Sequence, residues 1–177
     1  MAVLVEGISV IIQASAIHDK FPGGWEAFKH IVPNQTLCAD NEIVRIGFMT
    51  PDDVESFIKN LEKEGLEFLN DGEAIDIVVA DQMRGLASKC SWAEFGRINL
   101  GPKRNQEVGA CRLVGSQVMQ VVTPPDWKFD GSLSQTYGFV PSGQKQNGLK
   151  FLRHENDLDV YYDSLSEKEV YVGRTGE

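Results

Sequence analysis

Apolar positions fall into two kinds of run along this chain, and the contrast between them predicts most of its elements. Residues 3–13 (VLVEGISVIIQ) are apolar almost without interruption, which predicts a strand buried on both faces. Between Thr50 and Gly65 the spacing changes. Val54, Phe57, Ile58 and Leu61 stand at i, i+3, i+4 and i+7, one stripe along a helix. Thr50 can accept from the free amides of the first turn, and Pro51 suits the first helical position. Asp52 and Asp53 sit at the positive end of the dipole, Thr50 and Asp53 have the spacing of a capping box, and Gly65 ends the helix. Glu42–Met49 and Ile75–Ala80 are short and β-branched, which predicts a strand on either side of it. Asn70-Asp71-Gly72 is a strong turn signal before the second of these.

Upstream, Ser15 opens a short helical turn that Pro22-Gly23-Gly24 interrupts. Trp25, Phe28 and Val32 then predict a helix over 24–32. Residues 3–81 therefore read strand, helix, strand, strand, helix, strand. That is the order of a ferredoxin-like βαββαβ unit, with its helices on one face of an antiparallel sheet.

From Asp81 onward no helical period exceeds two turns. Strand candidates follow at Trp92–Leu100, Ala110–Gly115, Gln117–Val122, Lys150–His154, Leu158–Tyr162 and Glu169–Val172. Gly101–Asn105 reads as an exposed basic loop and Gly138–Gly148 as a loop by composition. The last two strands predict a hairpin around Ser164–Lys168, with Val160, Tyr162, Val170 and Val172 alternating to bury one face. The expected fold is α+β: an N-terminal ferredoxin-like unit with a β-rich C-terminal half. Residues 1–177 form a single domain, divisible at 81/82. The competing arrangement is a pair of βαβββ modules, in which residues 46–98 form one part.

Composition adds the compartment and the class. At 177 residues, 42% hydrophobic and 24% charged, the chain is an ordinary globular one. It has no run of about 18 apolar residues that would span a membrane. The N-terminal run lacks a positive flank and contains Glu6, which predicts a strand rather than a leader. Three widely spaced cysteines, Cys38, Cys90 and Cys111, argue for a reducing compartment, and a cytoplasmic location is expected.

Charge changes the picture most. The formal net charge is −9, and it is unevenly spread. Residues 1–81 carry 15 acidic and 5 basic side chains, residues 82–130 carry 4 and 7, and residues 131–177 carry 7 and 5. Between Asp52 and Asp76 there are nine acidic residues and two lysines. Such a field disfavours nucleic acid and anionic membranes and favours a basic protein partner or simple solubility, the latter being the reading of a solvated acidic surface. The candidate partner-binding residues are Asp52, Glu55, Glu62, Glu64, Glu67, Asp71 and Glu73.

Candidate chemistry is sparse. No Gly-rich phosphate loop, nucleophile elbow or kinase signature occurs. A thiol enzyme would need a base beside Cys38 or Cys90, and nothing in the sequence brings His18, His30 or His154 to either. The histidines are scattered, without HxH, HxxxH or CxxC, so neither a metal site nor a cofactor is expected. Gly23-Gly24 before a helix could cradle an anion, though such a pair is more often a hinge.

Asp81, Gln82 and Arg84 follow a strand directly, a common place for ligand groups. With Cys90, Glu94 and Arg97 they would line a pocket between the two halves. Two functions follow. The first is a non-enzymatic acidic protein that engages a basic partner, an immunity or antitoxin-like role being one instance. The second is a small-molecule binder or enzyme using the strand-end residues. A homodimer through an open sheet edge is a third arrangement.

Overall fold

A computed structural model describes residues 1–100, 106–117 and 120–129, together with the backbone of strands at 149–155, 158–163 and 168–173. The chain is α+β. Its first apolar run is not one strand but two, β1 (Ala2–Val5) and β2 (Ile8–Gln13), and they belong to different sheets. The break is at Gly7, whose φ of 61° is left-handed. A Cβ there would stand 2.8 Å from the carbonyl oxygen of Phe48, so neither the conformation nor the space admits a side chain. A continuous apolar run carries no sign of such a switch, because both strands are buried on both faces.

β2 is the centre of a five-stranded antiparallel sheet. The other strands are β3 (Cys38–Ala39), β4 (Ile43–Phe48), β7 (Ile77–Asp81) and β8 (Gly85–Leu86), in the order β3-β4-β2-β7-β8. Val10 stands opposite Ile46 on one side and Val79 on the other. The pleat divides β2 between two cores: Ile8, Val10 and Ile12 face the helices, and Ile11 faces away.

Among the described residues there are three helices: α1 (Ala14–Lys20), α2 (Gly24–Ile31) and α3 (Pro51–Lys63). Side chains from all three pack into one core against this sheet. α3 has the predicted form. Thr50 Oγ1 accepts from the Asp53 amide at 3.2 Å and donates to Asp53 Oδ2 at 2.7 Å. Val54, Phe57, Ile58 and Leu61 are buried, each contributing about 1.5–3 kcal/mol. Gly23 and Gly24, at φ 81° and 61°, reverse the chain between α1 and α2, and the Gly24 amide donates to Phe21 O at 2.9 Å. They form a turn, which lets Phe28 meet Phe21 edge-on at 5.7 Å.

The second sheet has the order β11-β1-β10-β9, with β9 (Ala93–Asn99), β10 (Glu107–Leu113) and β11 (Val121–Val122). It packs on the other face of the five-stranded sheet, where Val3, Val5 and Cys111 meet Ile11, Val78 and Ala80. The layers are therefore helices, sheet, sheet. β9 belongs to this second sheet, so residues 46–98 do not close into one βαββ part. The strand expected at Gln117–Val122 shortens to β11, which runs parallel to β1. The Asn70-Asp71-Gly72 signal is the turn of a small hairpin, β5 (Leu69–Asn70) with β6 (Glu73–Ala74), where Asp71 and Gly72 both take positive φ.

β12 (Leu149–Glu155), β13 (Leu158–Asp163) and β14 (Lys168–Gly173) form a three-stranded antiparallel sheet. The register pairs Val160 with Tyr171 and Asp159 with Val172. The loops at 101–105 and 138–148, and the turn at 164–167, lie outside the described residues.

Candidate functional site

The acidic stretch folds so that its field points outward. α3 commits one stripe to the core, so its charges have only the solvent side left. Asp52, Glu55, Glu62, Glu64, Glu67, Asp71 and Glu73 are all exposed, on α3, the segment after it and the β5–β6 hairpin. Two other carboxylates of the stretch turn inward. Asp53 holds the Thr50 hydroxyl. Asp76 is buried, takes Lys20 Nζ at 2.8 and 3.0 Å, and accepts from the Glu67 amide at 2.8 Å. That bond to Asp76 holds the Lys20 ammonium above its ordinary pKa. On the surface Lys59 bridges Glu55 at 2.6 Å, and Lys20 lies 3.8 Å from Glu67. Glu64, Asp71 and Glu73 close no ion pair among the described residues.

The strand-end residues are occupied by the fold. Asp81 Oδ1 accepts from the amides of Met83 and Arg84 at 2.8 and 2.9 Å, a turn made by its own side chain. Gln82 is buried and clamps Gly7 from both sides. Its Oε1 accepts from the Gly7 amide at 2.8 Å, and its own amide donates to Gly7 O at 3.0 Å. Arg97 donates to the carbonyls of Gln82 and Met83 at 3.2 and 3.4 Å. Arg84 is exposed. These four residues meet at one turn: the two bonds of Gln82 tie the end of β7 to the β1–β2 break, and the two of Arg97 tie β9 to the turn itself.

Cys90 and Glu94 lie apart from that turn. Cys90 Sγ accepts from the Ala93 amide at 3.3 Å. Glu94 pairs with Arg112 across β9 and β10 at 2.6 Å. Period 2 puts Glu94 and Arg97 on opposite faces of β9. Both residues contribute to the lining of a shallow cavity of about 260 Å³ on this sheet, with Arg112 as the third charged member.

A buried polar cluster between the two sheets was not among the candidates. Arg45 is 2% exposed. Its Nε donates to Ser9 Oγ at 2.9 Å, Nη1 to Thr36 O at 3.2 Å and Nη2 to Glu6 O at 3.0 Å. Burial pulls its pKa down from the ordinary arginine value. A Cβ on Gly47 would run into the guanidinium, so the strand leaves that position bare. Cys38 pairs with Arg45 in the ladder; burial pushes its thiol up, and the guanidinium opposes that. Cys111 is pushed up to about 12 by burial. The signal was present: Arg45 is a charge inside the apolar strand Ile43–Phe48.

The tryptophans are anchors. Trp25 stacks on Phe28 at 5.5 Å, Trp92 Nε1 donates to Ala74 O at 3.2 Å, and Trp127 Nε1 donates to Glu6 Oε2 at 3.0 Å. Among the described residues no group of three His, Cys, Asp or Glu side chains is placed to hold a metal ion, and no helix is long and apolar enough to cross a membrane. No family model matches the chain, and neither a curated protein nor a solved structure does.

Proposed function

We propose that this chain is a non-enzymatic binding protein whose acidic face docks a basic protein partner. Masking a basic nuclease, as an immunity protein or antitoxin would, is one instance. The observation that carries this reading is the exposure of seven of the eight carboxylates from Asp52 to Glu73, on a helix whose apolar stripe is already spent on the core, and on the segment and hairpin that follow it. A one-signed face of this kind steers an oppositely charged partner and excludes like-charged ones. The strand-end residues give less support to a small-molecule site, because Asp81, Gln82 and Arg97 are bonded within the fold.

The fold reading that accompanies this proposal is a ferredoxin-like unit. The order β3-β4-β2-β7, antiparallel throughout, with α3 leading from β4 across β2 to β7, supports it.

Titration with deca-lysine tests the function. The triple variant Glu62→Lys, Glu64→Lys, Glu73→Lys should weaken binding about tenfold or more at about 50 mM salt, and the wild-type affinity should fall steeply by about 300 mM. Glu107→Lys, an exposed reversal on β10, serves as the control. Equal losses in the triple variant and the control, or binding indifferent to salt, would overturn the reading.

A further inference from the structure

An open groove of about 370 Å³ runs along the N-terminal half of α3 where that helix faces the end of β4 and the segment after α2. Asp53, Ser56 and Asn60, at i, i+3 and i+7, line one side of it. Its apolar wall is made by Ile31 and Pro33, which are exposed, and by the edges of the buried Phe48 and Phe57, whose ring centroids are 5.4 Å apart with planes inclined at 41°. Asn34 closes the far side but is fully engaged: its amide donates to Gly47 O at 2.8 Å, and its oxygen accepts from Thr36 N and Oγ1.

The α3 side is different. Asp53 Oδ2 holds the Thr50 hydroxyl. Among the described residues Asp53 Oδ1, the Ser56 hydroxyl and the Asn60 side-chain amide make no hydrogen bond. The lining thus offers one carboxylate, two neutral polar groups with free bonding capacity and an apolar wall edged by two rings, and it contains no basic side chain. It also adjoins Asp52 and the acidic stretch that begins there.

This combination selects among cations. A metal ion wants several hard ligands, and no group of three is gathered here among the described residues. A lysine ammonium is a compact, strongly hydrated charge that gains little from phenyl surface. A guanidinium is planar, weakly hydrated and carries five donors. It can bond a carboxylate and neutral acceptors together while its faces and stem lie against an apolar wall edged by rings. We propose that the groove seats an arginine side chain of the basic protein partner. The inference rests on reading the acidic face as a partner surface and adds the anchor on which that partner docks. A central arginine in a pocket, ringed by weaker charge contacts, is how such interfaces concentrate their affinity.

The test is a titration of the full isotope-labelled chain with N-acetyl-arginine methylamide, followed by amide NMR, with the corresponding lysine and alanine compounds as comparators. Saturable shifts should centre on residues 53–60 and the Asn60 side-chain amide, with arginine binding several-fold more tightly than lysine and alanine producing none. Asp53→Asn keeps an acceptor for Thr50 and should weaken arginine binding about tenfold. Ser56→Ala, away from the helix start, should weaken it less.

Shifts no stronger for arginine than for lysine, or unchanged by Asp53→Asn in a variant of normal helix content, overturn the proposal. If deca-lysine binds with salt dependence while arginine leaves the groove untouched, the seat falls and the acidic-face reading stands. If arginine fills the groove while deca-lysine fails to bind, the acidic-face reading falls and takes the partner clause with it.

Discussion

The five-stranded sheet has two faces, and they are built by different rules. Toward the helices the core is built of large apolar residues, Val10, Ile12, Ile46 and Ile77 from the strands and Ile17, Phe28, Phe57 and Leu61 from the helices, and the buried polar side chains beside it, Thr50 and Asp76, cap α3 and hold Lys20 of α1. Toward the second sheet the interior holds Arg45, Ser9, Cys38 and Cys111 among smaller residues such as Ala74, Ala80 and Ala93. The helix side is held by burial of large side chains that any similar shapes could supply. The sheet side contains a charge that is tolerable only while its donors find acceptors. The Arg45 fork reaches the backbone at Glu6 and Thr36 and the hydroxyl of Ser9, which ties β4 to the β1–β2 junction and to the segment before β3. One face is therefore forgiving in composition, and the other is specific in geometry.

Truncation on each face makes the comparison quantitative. Phe28→Ala should cost about 3–5 kcal/mol of unfolding free energy, as for other buried aromatics. Arg45→Ala should cost a similar amount, about 3–5 kcal/mol, by leaving buried acceptors unpaired and a cavity where the stem lay. Arg45→Lys separates charge from geometry. It keeps the charge and loses the fork, and should still cost about 1–3 kcal/mol. Urea midpoints measure all three. A neutral Arg45→Lys would mean that charge alone suffices between the sheets, and the distinction between the faces would fail.

The second contrast is in response to alkali. Cys38 and Cys111 lie on the sheet side, and burial raises both thiols above their ordinary value of 9.0. A raised folded-state pKa means a contribution fully present below the unfolded value and lost as pH climbs through the folded one. For Cys111 that window runs from 9.0 to about 12. Lys20 is also raised, but from 10.5, so its contribution changes only above that value. Stability measured between pH 9 and 10.5 should therefore fall because of the thiols, and Cys38→Ala with Cys111→Ala should flatten the slope. An unchanged slope in the double variant would show that the thiols do not respond to alkali as buried groups.

The two faces also differ in how far they could be read ahead of the structure. α3 was legible to the residue because its cap, first-turn acids, stripe and terminating glycine are all local and agree. The sheet side is non-local. Gly7 breaks a run whose pattern is uniform, and only contact with Phe48 and Gln82 explains the break. Arg45 was visible as a charge in an apolar strand, but its three acceptors come from β2, the segment before β3 and the β1–β2 break. Glu94 and Arg97 both border one shallow cavity, although period 2 sets them on opposite faces of β9. The groove beside α3 escaped for the same reason: Asn34, Phe48 and Asp53 come from three separate segments.

The smallest effect tests the locality of the helix side. Thr50→Ala removes both the acceptor for the Asp53 amide and the hydroxyl that donates to Asp53 Oδ2. It should cost about 1 kcal/mol, and Thr50→Ser, which keeps the hydroxyl, should recover most of it. The distribution of the loss matters more than its size. A cap holds one end of one helix, so amide exchange should quicken in the first turn of α3 by more than in β2 or β4. Arg45 ties β4 to the β1–β2 junction and to the segment before β3, so Arg45→Ala should speed exchange across the strands of both sheets at once. If Thr50→Ala also quickened β2 and β4 to the global extent, the start of α3 would be part of the same cooperative unit as the sheet interior. The helix face would then be no more local in its energetics than the face that holds the buried arginine.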